Sequence, residues 1–121
     1  MRDRRRLGQA GERAAVAFLE RCGYRVLERN YRCRYGEIDC VAVHRGTLVF
    51  LEIKTRSSLA YGPPHEAVDL RKRRRLTRIA RHYARQRGFL DVPQRFDVVS
   101  VHWEDGRPRI ELFQNAFDAL D

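Results

Sequence analysis

At 121 residues the chain is sized for one domain with a real core. It carries 25 Lys and Arg against 16 Asp and Glu, a net charge of +9, and a pI near 10.3, a balance that favours polyanionic partners and nucleic acid above all. No apolar run approaches the roughly 18 residues of a spanning helix, so no membrane role is expected.

Residues 1–6, Met-Arg-Asp-Arg-Arg-Arg, read as a flexible basic arm; no apolar stretch follows that would make them a secretory signal. Cys22, Cys33 and Cys40 are odd in number and lack paired spacing, which argues for a reducing cytosol and against a zinc ribbon or disulfide framework. Cys22 and Cys40 fall on apolar faces as small core residues.

A first helix is predicted from about Gly8 to Cys22, with Gly11, Ala15, Phe18, Leu19 and Cys22 as its inward stripe and Gly23 as its cap. Glu12 lies on the flank of that stripe. It reads equally as a first-turn acid favoured by the helix dipole or as a carboxylate aimed along the packed face. Tyr24 to Glu28 reads as a short strand, and Asn30 to Tyr35 as a polar connection carrying Arg32 and Arg34.

Gly36 to Arg56 then reads as two strands joined at Arg45-Gly46. A two- or four-residue loop sets Asp39 opposite Glu52 and Glu37 opposite Lys54, all on one face. Directly opposed side chains have Cβ atoms about 5 Å apart, so the two acids repel unless a positive charge lies between them. A hard divalent cation, Mg²⁺ or Mn²⁺, meets that need through oxygen ligands. The plainer reading is a surface ion pair, Glu37–Lys54, beside two solvated acids. Against it, the charges end an apolar run, and only two positions in the chain are lysine, Lys54 and Lys72. Lysine is a compact charge whose pKa shifts readily, which arginine's does not.

Ser57 to Pro64 reads as a loop leaving the charged end of the second strand, either a cover for substrate or an ordinary connection. A second helix is expected from near His65 to Gly88, with Leu76, Ile79, Ala80 and Tyr83 buried and Lys72 extending the inward stripe. Its other basic residues are Arg71, Arg73, Arg74, Arg75, Arg78, Arg81, Arg85 and Arg87. They read either as a solvated face or as a surface that tracks phosphates. Arg95 to Trp103 reads as a strand with Phe96, Val98, Ser100 and His102 on one face. Glu104-Asp105-Gly106 makes a turn, Arg109 to Phe113 a last strand, and 115–121 a tail. His44, His65, His82 and His102 show no metal spacing and read as surface or turn residues; Tyr31, Tyr35 and Tyr61 are isolated aromatics.

Asp39 followed by Glu52-x-Lys54 on adjacent strands behind a helix resembles the PD-(D/E)xK nuclease superfamily. More narrowly the chain resembles the uncharacterised bacterial YraN-type family, relatives of Holliday-junction resolvases. The segments that carry this are 8–12, Asn30-Tyr31-Arg32, 36–39, 49–56, Tyr61-Gly62, Glu66-Ala67-Val68, Lys72, Leu76, 95–99 and 115–117. The resemblance implies an α/β fold, the restriction-endonuclease-like αβββαβ core with a mixed central sheet flanked by helices. It implies a cytoplasmic Mg²⁺- or Mn²⁺-dependent nuclease acting on DNA, branched or structured DNA included, and a tendency to form homodimers. Residue by residue it maps the catalytic set onto Glu12, Asp39, Glu52 and Lys54, with Glu12, Asp39 and Glu52 as metal ligands and Glu37 in support. Ile38 stands where the superfamily's proline would be. The alternatives are a non-catalytic nucleic-acid-binding module that retains the fold and an adaptor that docks to another protein.

Overall fold

The computed structural model describes residues 4–56 and 68–120. The loop expected from Ser57 to Pro64, together with Tyr61, His65 and Glu66, lies outside the described residues. The elements run α1 (Arg4–Arg21), β1 (Arg25–Cys33), β2 (Gly36–His44), β3 (Thr47–Arg56), α2 (Leu70–Arg87), β4 (Gln94–Glu104) and β5 (Arg107–Phe117). This is a mixed α/β fold whose five-stranded sheet has the order β1-β2-β3-β4-β5, with β3 and β4 parallel and the other pairs antiparallel. The αβββαβ order expected from the sequence is present, with β5 added at the edge.

Side-chain alternation divides the core into two layers. Phe50, Leu48, Phe96 and Val98 face α2 and meet Leu76, Ile79 and Tyr83. Val49, Leu51, Val99 and Val101 face α1 and meet Ala15 and Leu19. The sheet is therefore covered on both faces, which is why β3 reads as a continuous apolar run. Gly11 lets α1 close on the sheet: a Cβ there would meet Thr55 Cγ2 at 2.9 Å and Thr55 Cβ at 3.2 Å. No helix among the described residues is long and apolar enough to cross a membrane.

The turn between β2 and β3 and the glycine end of α2 act as the sequence suggests. Arg45 and Gly46 both take positive φ, 50° and 80°, the two-residue turn that matches strand twist, and His44 faces Thr47 as expected. Asp69 caps α2 by accepting from Lys72 N at 2.8 Å, and Gly88 ends it in the left-handed region.

Several boundaries differ. Residues 4–6 belong to α1 rather than to a loose arm, and α2 begins at Leu70. β1 runs on through the supposed connection to Cys33, because Tyr31, Arg32 and Cys33 pair with Ile38, Glu37 and Gly36 through backbone bonds that need no apolar pattern. β5 continues past Phe113 to Phe117. Asn115 N donates to Asp97 Oδ1 at 2.8 Å, and Phe117 stacks on Phe96 at 4.8 Å. Cys22 is exposed rather than core, whereas Cys40 is buried.

His44 is no surface histidine. It is 8% exposed, stacked on Tyr24 at 4.2 Å, with Arg95 Nη2 at 2.9 Å from its Nδ1. Tyr24 Oη donates to Asp97 Oδ2 at 2.7 Å and receives Arg95 Nη2 and Gln114 Nε2, both at 2.9 Å. Arg95 also pairs with Asp97 at 3.0 Å, so the buried carboxylate is matched by charge and by donors. This network ties together the start of β1, the end of β2, β4 and β5.

Candidate functional site

The site forms where the β2–β3 ladder gives out. Pairing runs from His44↔Thr47 to Cys40↔Leu51. At the next position the Asp39 carboxylate takes the place of a backbone acceptor: its Oδ2 receives Ile53 N at 2.7 Å. A regular strand puts residues 38 and 40 on one face. Here Ile38 packs in the α2 layer and Cys40 in the α1 layer, so alternation breaks at Asp39.

Glu52 follows directly on β3, in phase with Phe50 and Leu48, and so points into the α2 layer. It is 7% exposed. Lys72 Nζ, from the first turn of α2, lies 3.5 Å from Glu52 Oε2, and Lys54 Nζ lies 3.9 Å away. Two cations do not offset the site's opposing effects. Burial first, then the Asp39 charge, pushes the Glu52 carboxyl up to about 7. Burial, then the neighbouring Lys72, lowers the Lys54 ammonium. The cluster thus holds a carboxyl that titrates near neutrality beside an ammonium that loses its proton more easily than usual, a pairing found at functional sites.

The structure brings Asp39, Glu52, Lys54 and Lys72 together and leaves the other expected residues apart. Glu37 pairs not with Lys54 but with Arg32, at 3.1 Å, because β1 extends far enough to face it. Glu12 lies 4.0 Å from Arg29 Nη2. Among the described residues no hydrogen bond or ion pair joins Glu12 to Asp39 or Glu52, and no group of three or more His, Cys, Asp and Glu side chains gathers. Two carboxylates still fit a hard cation such as Mg²⁺ or Mn²⁺, which keeps several waters and binds one or two carboxylates together with substrate phosphate. The fit rests on the donor set: the Ile53 amide holds the Asp39 carboxylate beside Glu52, where a divalent charge would relieve the repulsion that adds to burial in raising Glu52.

On α2, Arg71, Arg74, Arg75 and Arg78 are exposed. Arg73 is not: it donates to the Val68 carbonyl at 3.0 Å and lies over the Phe117 ring, so its role is packing. The sequence reading did not reveal that Arg34 and Tyr35, at the β1–β2 turn, stand against this helix. Their turn pairs residues across a gap too short to carry a periodic pattern.

The family model described as uncharacterised protein family UPF0102 matches residues 11–101. A UPF0102 protein of Moorella thermoacetica is 52% identical over 117 residues, covering 94% of this chain and 97% of that protein. A second, from Symbiobacterium thermophilum, is 53% identical over 116 residues, covering 95% and 98%. Among solved structures, Pyrococcus furiosus SfsA in complex with Ca²⁺ aligns with a TM-score of 0.44 at 17% identity, over 93% of this chain and 64% of that one.

Proposed function

The chain belongs to the UPF0102 family, and from that premise we propose that it is a metal-dependent nuclease that hydrolyses phosphodiester bonds in DNA, branched or structured DNA included. The observation that carries this reading is the buried Glu52 carboxyl beside the half-buried Asp39, flanked by Lys54 and Lys72 in a domain of net charge +9.

Asp39 and Glu52 would hold Mg²⁺ or Mn²⁺. Such an ion polarises a phosphoryl oxygen and lowers the pKa of a bound water. Asp39 is fixed in place by the Ile53 amide, so its carboxylate needs little reorganisation. Hydrolysis forms a bond from water oxygen to phosphorus and breaks the bond to the leaving sugar oxygen, which takes up a proton. Lys54 orients the water and stabilises the negative charge that develops on the phosphoryl group. Lys72 steadies Glu52 and faces the backbone of the bound strand. Glu12 completes the three-acid set only by leaving Arg29, so Glu12→Gln tests its part separately from the Asp39–Glu52 pair.

The test incubates purified protein with junction, flap and duplex DNA in Mn²⁺. Cleavage lost in Glu52→Ala supports the proposal; equal cleavage by wild type and Glu52→Ala sinks it. DNA binding with no Asp39- and Glu52-dependent Mn²⁺ signal in calorimetry favours the binding module instead.

A further inference from the structure

A basic cleft lies along α2, away from the carboxylates. Arg34 and Tyr35 on one side, and Arg78, Arg81, His82 and Arg85 on the other, line a cleft of about 330 Å³. Its two walls are held together. Gly36 takes a φ of 135° that favours glycine, and a Cβ there would come 3.1 Å from Arg75 Cδ, so the arginine stem lies against the turn. The Tyr35 ring meets His82 edge-on at 5.9 Å, and Arg34 lies over the Tyr35 ring while donating to its hydroxyl at 2.7 Å.

Arginines on a surface helix are usually solvated and balanced by acids three or four residues away. That cannot happen within α2, because Leu70–Arg87 contains no Asp or Glu. Among the described residues no carboxylate lines the cleft either. Other arginines meet acids of neighbouring elements, Arg32 with Glu37, Arg109 with Glu104 and Arg87, at the end of α2, with Glu28, whereas among the described residues no ion pair to an acid holds Arg34, Arg78 or Arg85. Like charges drawn together from two elements are a cost that a polyanion would remove.

We propose that this cleft binds consecutive phosphates of a nucleic-acid strand that also passes Lys72, a few phosphates along. Resting on the nuclease reading for its substrate class, the inference adds where the strand runs and which residues hold it. Arg78, Arg81 and Arg85 recur on one helix face, and Arg78 to Arg85 spans about 10 Å at the helical rise. Phosphates of one duplex strand advance about 3.4 Å each along the axis, so the face covers about three of them. Arg78 lies about 9 Å along the helix from Lys72, which sets the cleft roughly three phosphates beyond the one at the carboxylates.

The experiment measures equilibrium binding of fluorescently labelled duplex DNA across a salt series in EDTA, where neither cleavage nor metal contributes. Arg34→Ala, Arg78→Ala and Arg85→Ala are combined in one variant. Arg25→Ala, Arg107→Ala and Arg109→Ala, which remove the same charge elsewhere, form the control. The cleft variant is expected to lose about two to three units of the slope of log K against log salt, and the control less than one. Lysine at the three cleft positions should keep most of the slope, since it keeps the charge. Equal losses in cleft and control variants, or an unchanged slope in the cleft variant, would overturn the proposal. Circular dichroism melts confirm folding, and Arg85→Ala alone, expected to lose about one unit, serves if the triple variant is unfolded. Mn²⁺ calorimetry on the cleft variant separates the two readings. An intact metal signal with an unchanged slope fails the cleft alone; a lost slope in a protein that never cleaves fails the nuclease reading alone.

Discussion

Lys72 Nζ, on the first turn of α2, stands 3.5 Å from Glu52 Oε2 on β3, joining the helix to the strand beside the Asp39 carboxylate. The contact does two things at once. It lowers the pKa of a carboxyl that burial and Asp39 raise, and it lowers the pKa of the neighbouring Lys54 ammonium. Lys72→Met should therefore raise Glu52 further and let Lys54 recover toward its ordinary value. Mn²⁺-dependent cleavage should fall on the order of 10–100-fold, and the acidic limb of its pH–rate profile should move to higher pH. An unmoved limb with full activity would assign Lys72 a packing role only.

Glu52 makes stability depend on pH in a defined direction. Its folded pKa of about 7 lies above the ordinary carboxyl value of 4.5, so between those values the folded state holds more protons than the unfolded one. The stability this group contributes is full below about 4.5 and is lost as pH rises through about 7. Without divalent ions, Glu52→Gln should match wild type near pH 4.5 and exceed it at pH 8 by on the order of 1–3 kcal/mol. Urea denaturation at the two pH values measures this. Mn²⁺ should reverse the order at pH 8, because only wild type gains a ligand.

Metal binding should release a proton for the same reason. Mn²⁺ affinity is expected to rise with pH up to about 7, by up to about tenfold per unit, and then level off. Calorimetry in two buffers of different ionisation enthalpy detects the proton. Asp39→Asn should abolish the signal.

Gly11→Ala puts a methyl group into Thr55, whose β-branched side chain has little room to turn. The expected loss is about 1–3 kcal/mol in thermal or urea unfolding. Thr55→Ala in the same chain should recover much of it, so a double-mutant cycle would be strongly non-additive. Additive losses would mean that α1 shifts as a body instead.

Much of the site was legible in the sequence because its determinants are local. The turn at Arg45-Gly46 fixes which residues of β2 and β3 oppose each other, and the helical period carries Leu76 back to Lys72. Pairing that depends on distant partners was not legible. The residues of β1 past Asn30 carry no apolar alternation, so only β2 revealed them as strand, and with them the true partner of Glu37. His44 read as a surface or turn residue until folding set Tyr24 and Arg95 against it. Arg73 looked like its neighbours until Phe117 took its guanidinium.

The sequence by itself determined the order of elements, the turn at Arg45-Gly46 and the basic helix, since each follows from local spacing along one segment. Only the tertiary structure decided what the acids experience. Burial under α2, with the Asp39 charge beside it, moves Glu52 to about 7 against the opposing pull of Lys72 and Lys54, because desolvation and charge proximity are set by what packs across the gap. Likewise it took the β1–β2 turn folding against α2 to make a row of arginines one wall of a cleft.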